Sequence, residues 1–226
     1  MNGAAVYQLS GRSVNAGTVP AHDGCLGAIL VGGASRRMGA DKALLDWHGR
    51  PLALAVAAVV RRVTPRVVLV GGAGRGYERL GLPVVPDPPG TAGRGPLAGL
   101  LAALGVARRR VLLVACDAPG WPAEALALLL GAACHADAVA FEADGQLEPL
   151  PGVFDVRLAP VVRRAMCGSG RLRDLFQRRD ARRLSPGLLG AAGLAPGLTL
   201  NINQQSELLA NPGIRVETAQ GRGGTD

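Results

Sequence analysis

A single lysine, Lys42, stands in a chain of 226 residues whose other basic residues are 24 arginines. Aromatic residues make up only 3%, so the core is expected to be built from Ala, Leu and Val. That scarcity also argues against a stacking platform for single-stranded nucleic acid. No run of about 18 apolar residues exists, which excludes a membrane-spanning helix. The 33 glycines and 16 prolines follow no fixed period, which excludes a collagen-like repeat. Cys25, Cys116, Cys134 and Cys167 form no CxxC pair. So few cysteines in so long a chain imply reduced thiols and a cytoplasmic protein. His22, His48 and His135 lack HExxH or any other ligand spacing, which argues against a zinc site. Residues 1–24 have no basic start followed by an apolar stretch, so no signal peptide is expected.

What is present is the composition of an ordinary globular domain, 48% hydrophobic and 19% charged, with a formal net charge of +8. The arginines are scattered in short groups such as Arg61-Arg62, Arg108-Arg109-Arg110 and Arg182-Arg183. They read as solvated helix faces and strand ends, not as one nucleic-acid-binding tract.

Strand and helix signals alternate along the chain. Leu26 to Val31 is a short apolar run that breaks into Gly32-Gly33, the pattern of a buried strand. A helix is expected over Pro51 to Val63, with Pro in its first turn and Arg61 and Arg62 near its end. Arg66 to Val70 is a second strand ending in Gly71-Gly72, and Pro83 to Val85 a third, followed by Asp87. Helices over Gly95 to Val106 and Pro122 to Cys134 flank a strand at Val111 to Ala115, which runs into Cys116-Asp117. Ala138 to Phe141 and Pro149 to Phe154 read as strands around an Asp144-Gly145 turn. The alternation predicts an α/β fold in three layers, a mostly parallel sheet with helices on both faces. The expected division is a disordered tail over 1–24, one domain over 25–212 and a loose tail over 213–226. Ligands of such sheets bind at the carboxyl ends of the strands, where the loop after Val31, Asp87 and Asp117 all fall.

The first of these loops reads Leu30-Val31-Gly32-Gly33-Ala34-Ser35-Arg36-Arg37-Met38-Gly39-Ala40-Asp41-Lys42. It is neither GxGxxG nor a Walker A loop, since Ala43 follows the lysine. Glycines let backbone N–H groups approach a phosphate chain. Arg36, Arg37 and Lys42 can neutralise one, arginine by its fork and lysine as a point charge. A plain β-to-α turn carrying surface charge fits these residues equally well.

The loop resembles the signature Leu-x-Gly-Gly-x-Ser-x-Arg-Met-Gly-x-Asp-Lys of the molybdenum cofactor guanylyltransferases, members of a wider nucleotidyltransferase family. The resemblance continues through Val85-Pro86-Asp87 with Gly95-Pro96-Leu97-Ala98-Gly99-Leu100, through Ala115-Cys116-Asp117-Ala118-Pro119, through Glu148-Pro149-Leu150, and through Asn201-Ile202-Asn203. Five motifs in order cover residues 26–210.

The resemblance implies a Rossmann-like nucleotidyltransferase fold. It also implies an enzyme that transfers GMP from GTP to the terminal phosphate of molybdopterin. Leu30, Val31, Gly32 and Gly33 would line the nucleotide pocket through backbone contacts. Arg36 and Lys42 would hold phosphates, with Arg37 beside them. Asp87 would sit near base, sugar or metal, Asp117 would bind Mg²⁺, and Asn203 would lie on the metal or pterin side. Gly95 and Pro96 open a helix whose N-terminus could face an anion. GTP and molybdopterin are the implied substrates, with a molybdate-insertion protein and acceptor molybdoenzymes as further partners; neither nucleic acid nor membrane is expected.

Cytidylyl transfer to molybdopterin, or transfer to another phosphate-bearing acceptor, is the alternative; a non-catalytic nucleotide-binding protein ranks below both. Cytidylyl relatives typically read Leu-Ala-Ala-Gly at Leu30 to Gly33 and lack the acid before the lysine, so Gly32 and Asp41 favour guanine. At Gly32 the missing Cβ is expected to leave room for a purine. The family's frequent Asn after the second strand is absent, replaced by Gly71-Gly72.

Overall fold

A computed structural model describes residues 6–9, 12–15, 22, 24–32, 41–72, 76–91, 94–143, 145–168 and 170–185. Its strands are β1 (Val6–Leu9), β2 (Arg12–Asn15), β3 (Cys25–Leu30), β4 (Asp46–Trp47), β5 (Arg50–Pro51), β6 (Arg66–Val70), β7 (Val84–Val85), β8 (Arg110–Ala115), β9 (Ala138–Ala143), β10 (Gln146–Asp155) and β11 (Ala181–Leu184). Its α-helices are α1 (Leu52–Arg61), α2 (Pro96–Val106), α3 (Ala123–Ala132) and α4 (Ala159–Cys167).

Seven strands form one sheet in the order β11-β9-β10-β8-β3-β6-β7. β3 lies at its centre, parallel to β6 on one side and β8 on the other. Only β10 runs against the rest, antiparallel to both β8 and β9. The central strands are apolar on both faces because both faces are covered. Ile29, Leu69 and Leu112 pack with Val56 and Val60 of α1 and Leu126 of α3. Leu26, Val68 and Val111 pack with Leu100 and Leu104 of α2 and Val162 of α4. The helix on the second face comes unusually close. A Cβ on Gly99 would stand 2.3 Å from Leu30 Cδ2, so Gly99 lets α2 lie against the end of β3.

The three-layer, mostly parallel fold expected from the alternating signals is the fold observed. From β3 to β10 the expected strands and helices agree with the observed ones within a few residues, while the short strands β4 and β5 were not expected. The chain beyond β10 elaborates the same sheet: it holds α4 and β11, which adds a seventh strand parallel to β9. Its residues, Ala181-Arg182-Arg183-Leu184, carry two exposed arginines and no apolar alternation. Charge on an edge strand blocks pairing with another chain, and the same charge hides the strand from a hydrophobicity reading. Within residues 1–24, β1 and β2 pair antiparallel as a separate two-stranded sheet. Such a hairpin alone is marginal in water. His48-Gly49 is a tight turn between β4 and β5, closed by a 3.0 Å bond from the Gly49 N–H to Asp46 Oδ1. Among the described residues no helix is long and apolar enough to cross a membrane.

At the sheet's amino edge, buried Asp155 ends β10 opposite Arg110 of β8. Its Oδ1 accepts from the backbone and side chain of Arg157 at 3.0 and 2.9 Å, and Arg110 Nε lies 3.9 Å from its Oδ2. Burial opposes ionisation there. The hydrogen bonds and charge of Arg157, with the charge of Arg110, outweigh it and hold the carboxyl below its ordinary 3.8. A carboxyl lowered by folding stabilises above its ordinary value and loses that contribution as pH falls through its folded value. Asp155→Asn is therefore expected to melt about 3–6 °C lower at neutral pH, equivalent to ~1.5 kcal/mol in a domain of this size. In a pH series of melting curves the gap should close below the ordinary carboxyl value. A gap of constant size would remove the charge from the explanation.

Candidate active site at the carboxyl edge of the sheet

Three neighbouring strands, β3, β6 and β8, end at one edge of the sheet, and the loops that follow them meet there. The β3–β6 ladder runs one residue past the strands, with the Val31 N–H bonded to the Val70 carbonyl at 3.0 Å. The Gly71 N–H is bonded to the Val85 carbonyl at 3.0 Å. On the other side, the Cys116 N–H donates to the Leu30 carbonyl at 3.2 Å. Val31, Gly71, Asp87 and Cys116-Asp117 are thereby brought onto one rim.

The rim's charged centre is an ion pair between Lys42 Nζ and Asp117 Oδ2, 3.0 Å apart. Both side chains are mostly buried, 16% and 23% exposed, so the pair is shielded from solvent more than a surface bridge. Lys42 is presented by a single 3-10 turn, Lys42–Leu44. Asp41 caps that turn, its Oδ1 accepting from the Ala43 N–H at 3.1 Å. The other carboxylate oxygen of Asp41 accepts from the hydroxyl of Tyr77. Tyr77 lies in the loop after β6 and is fully buried.

Glycine is required where these loops cross. Gly32 and Gly72 both have positive φ, 81° and 61°. A Cβ on Gly32 would lie 2.5 Å from Gly72 Cα, and one on Gly72 would lie 2.2 Å from Tyr77 Cε2. The expectation that Gly32 clears space for a purine is therefore corrected: backbone of the β6 loop fills the direction its side chain would take. No side chain fits at Gly72 beside Tyr77. At Gly71 a Cβ would stand 2.7 Å from the Val31 carbonyl and 3.6 Å from Asp87 Oδ1. Asp87 thus stands over Gly71, half-buried, its carboxyl pushed up by burial.

The candidate residues are distributed as follows. Lys42 and Asp117 are in contact; Leu30, Val31, Gly32, Gly71 and Asp87 share their rim. The Leu30 side chain turns away, onto Gly99. Gly95 (φ 60°) and Pro96 are exposed at the start of α2, which no side chain caps among the described residues. Gly33, Arg36, Arg37 and Asn203 lie outside the described residues. Cys116 adjoins the site as an inert filler. Burial first, then the carboxylates of Asp117 and Asp41, push its thiol up to about 12, which keeps it protonated. Tyr77 was missed in the sequence, although it is one of only two tyrosines in the chain and so a conspicuous aromatic.

No group of three or more His, Cys, Asp or Glu capable of holding a metal occurs among the described residues. Asp117 and Asp87 nonetheless offer hard oxygen donors. Mg²⁺ is usually held by one or two carboxylates together with substrate phosphates, so these residues fit that ion. A separate cavity of about 250 Å³ lies at the opposite edge, lined by His22, Cys25, Arg109, Arg110 and Cys134 among others. Its Cys25 thiol is also pushed up to about 12 by burial.

A doubly covered, mostly parallel sheet with a cation and carboxylates at its carboxyl edge defines the α/β class that binds nucleotides at that edge. The chain belongs to the MobA-like NTP transferase domain family, whose model matches residues 27–183. It is 49% identical over 94 residues to a probable molybdenum cofactor guanylyltransferase of Pelotomaculum thermopropionicum, covering 41% of this chain and 45% of that protein. It is 41% identical over 122 residues to the molybdenum cofactor guanylyltransferase of Rhodobacter capsulatus, covering 52% and 63%. The chain thus spans about half to two thirds of the length of these two relatives. Its fold is similar to molybdopterin-guanine dinucleotide biosynthesis protein A of Archaeoglobus fulgidus, with a TM-score of 0.69 at 24% identity over 82% of this chain and 95% of that one. It is also similar to a Mycobacterium tuberculosis protein solved in complex with manganese, with a TM-score of 0.60 at 18% identity over 83% and 96%.

The glycine crossing makes a prediction independent of substrate. Gly32→Ala and Gly72→Ala should each destabilise the fold by about 2 kcal/mol or more, since each combines a positive φ with a backbone or ring clash. Urea denaturation checks this. Wild-type stability in Gly32→Ala would show that the two loops do not meet there.

Proposed function

We propose that the protein transfers GMP from GTP to the terminal phosphate of molybdopterin, forming the guanine dinucleotide cofactor and releasing pyrophosphate. The observation that carries this reading is the 3.0 Å Lys42–Asp117 pair, which joins the glycine loop after β3 to the end of β8 within the family match. Relatives named as molybdenum cofactor guanylyltransferases support the choice of base and acceptor.

In the transfer, an oxygen of the molybdopterin phosphate attacks the α-phosphorus of GTP. A new P–O bond forms, the bond to the β-phosphate oxygen breaks, and pyrophosphate leaves with the electron pair. Positioning and charge neutralisation supply the catalysis, and no protein nucleophile is needed. Lys42 exchanges its carboxylate partner for phosphate oxygens and stabilises the charge that develops on them. Arg36 adds a second cation from the same loop, with Arg37 beside it. Backbone groups from Leu30 to Gly33 border the nucleotide, and Asp87 orients its sugar or base from above Gly71. Asp117, together with the substrate phosphates, would hold Mg²⁺. That ion supplies Lewis-acid neutralisation at the reacting phosphate. The manganese bound by the mycobacterial fold relative supports a divalent cation. Asn203 is assigned to the metal or pterin side.

The proposal places the enzyme in the cytoplasm. All four cysteines are free, in keeping with a reducing compartment. A molybdate-insertion protein and acceptor molybdoenzymes are the partners that would precede and follow it.

Incubation with molybdopterin, Mg²⁺ and either GTP or CTP, followed by chromatography of the product, tests base and acceptor together. The guanine dinucleotide is expected; the cytosine dinucleotide, or neither, would overturn the proposal. Lys42→Ala should lower turnover about 10²–10³-fold, as removal of one donor to developing charge does. Near wild-type turnover at saturating GTP would release Lys42 from its role. Asp117→Asn should shift the Mg²⁺ requirement upward and stay slow even when saturated. A superimposable Mg²⁺ titration would leave Asp117 as a partner for Lys42 alone.

A further inference from the structure

We infer that Tyr77 is a positioning residue for Lys42, acting through the carboxylate of Asp41. The inference rests on the reading of Lys42 as the cation that meets phosphate. The fixed end of the chain of contacts is the ring. It is fully buried and lies against Gly72, where a Cβ would come within 2.2 Å of it. The loop after β6 therefore sets where the phenol oxygen stands. That hydroxyl donates to Asp41 Oδ2, as a buried tyrosine hydroxyl requires a polar partner. The second carboxylate oxygen receives the Ala43 N–H at 3.1 Å. With both oxygens engaged, Asp41 is held against rotation about its terminal torsion, which is otherwise broad.

Lys42 is the residue between the carboxylate and the N–H it caps. Its four-carbon stem is flexible, and the orientation of the turn decides where the ammonium points. In this structure it points to Asp117 at 3.0 Å. The influence of Tyr77 passes through Asp41 and the turn.

The chain contains only one lysine, so biosynthetic labelling with [ε-¹³C]lysine produces one NMR signal that reports Lys42 alone. Tyr77→Phe retains the ring against Gly72 and deletes only the hydroxyl. In this variant the signal should move more than half the way from its native position toward that of the urea-unfolded chain. The melting temperature should stay within a few degrees of wild type. Asp41→Asn reads the same contact from its other side and should move the signal likewise. In the guanylyl-transfer assay Tyr77→Phe should lower kcat about 10–100-fold, the loss that a misplacement on the order of 1 Å produces. It should have no further effect on the residual turnover of Lys42→Ala, because a residue acting through Lys42 cannot act without it. A purely structural role would multiply the two losses.

A native lysine signal in both variants, or multiplied losses, would overturn the inference. The NMR comparison needs no turnover. Failure of the wild-type chain to transfer GMP would therefore strike the proposed function, while the lysine signal still decides the role of Tyr77.

Discussion

The ion pair between Lys42 and Asp117 is the contact on which the organisation of the carboxyl edge depends. It joins two segments 75 residues apart in sequence, each anchored in a different way. Asp117 stands two residues past the end of β8, and that strand is locked into the sheet by β3 on one side and β10 on the other. Lys42 sits on a short turn outside the sheet and depends on its cap. The pair is mostly buried, so separating its members without a replacement would leave a charge poorly solvated. A phosphate chain with a divalent cation is such a replacement. In the proposed reaction, phosphate oxygens would meet the ammonium and the cation would meet the carboxylate, so both charges would stay matched as the pair opens.

Around this pair the backbone is packed more closely than side chains would allow. Gly32 meets Gly72, Gly72 meets Tyr77, and Tyr77 meets Asp41. The result is a continuous path from the end of β3, through the loop after β6, to the turn that carries Lys42. On the opposite face of the sheet, Gly99 brings α2 against Leu30. The end of β3 is thus held from two directions. Preorganised charge of this kind favours a reaction whose catalysis consists of positioning and neutralisation.

Much of this was legible in the sequence. The buried strands β3, β6 and β8 announced themselves as apolar runs, and each ends in the residues that form the site. Lys42 stood out as the only lysine, and Asp117 as a carboxylate placed directly after a fully buried strand. What could not be read depends on contacts across the fold. The crossing of Gly32 and Gly72 follows from the distance between two loops, which periodicity does not encode. Gly32 consequently invited a ligand-based explanation where a packing one applies. Tyr77 opens a 3-10 helix, Tyr77–Leu80, between two glycines of positive φ, Gly76 and Gly81, and so short an element leaves no periodic signal. β11 was hidden by the arginines that protect its edge, and α4 by the polar residues on its exposed face.

The central claim is that this edge holds a guanine nucleotide with its phosphates between Lys42 and Asp117. A crystal structure with the α,β-methylene analogue of GTP and Mg²⁺ tests it most directly, because the analogue cannot lose pyrophosphate. The account predicts triphosphate density beyond Val31 and Gly32, with the Lys42 ammonium on phosphate oxygens, the Asp117 carboxylate on the metal and the 3.0 Å pair opened. Density for the analogue at another place on the fold, or at this edge with Lys42 and Asp117 still paired and touching neither phosphate nor metal, would contradict it.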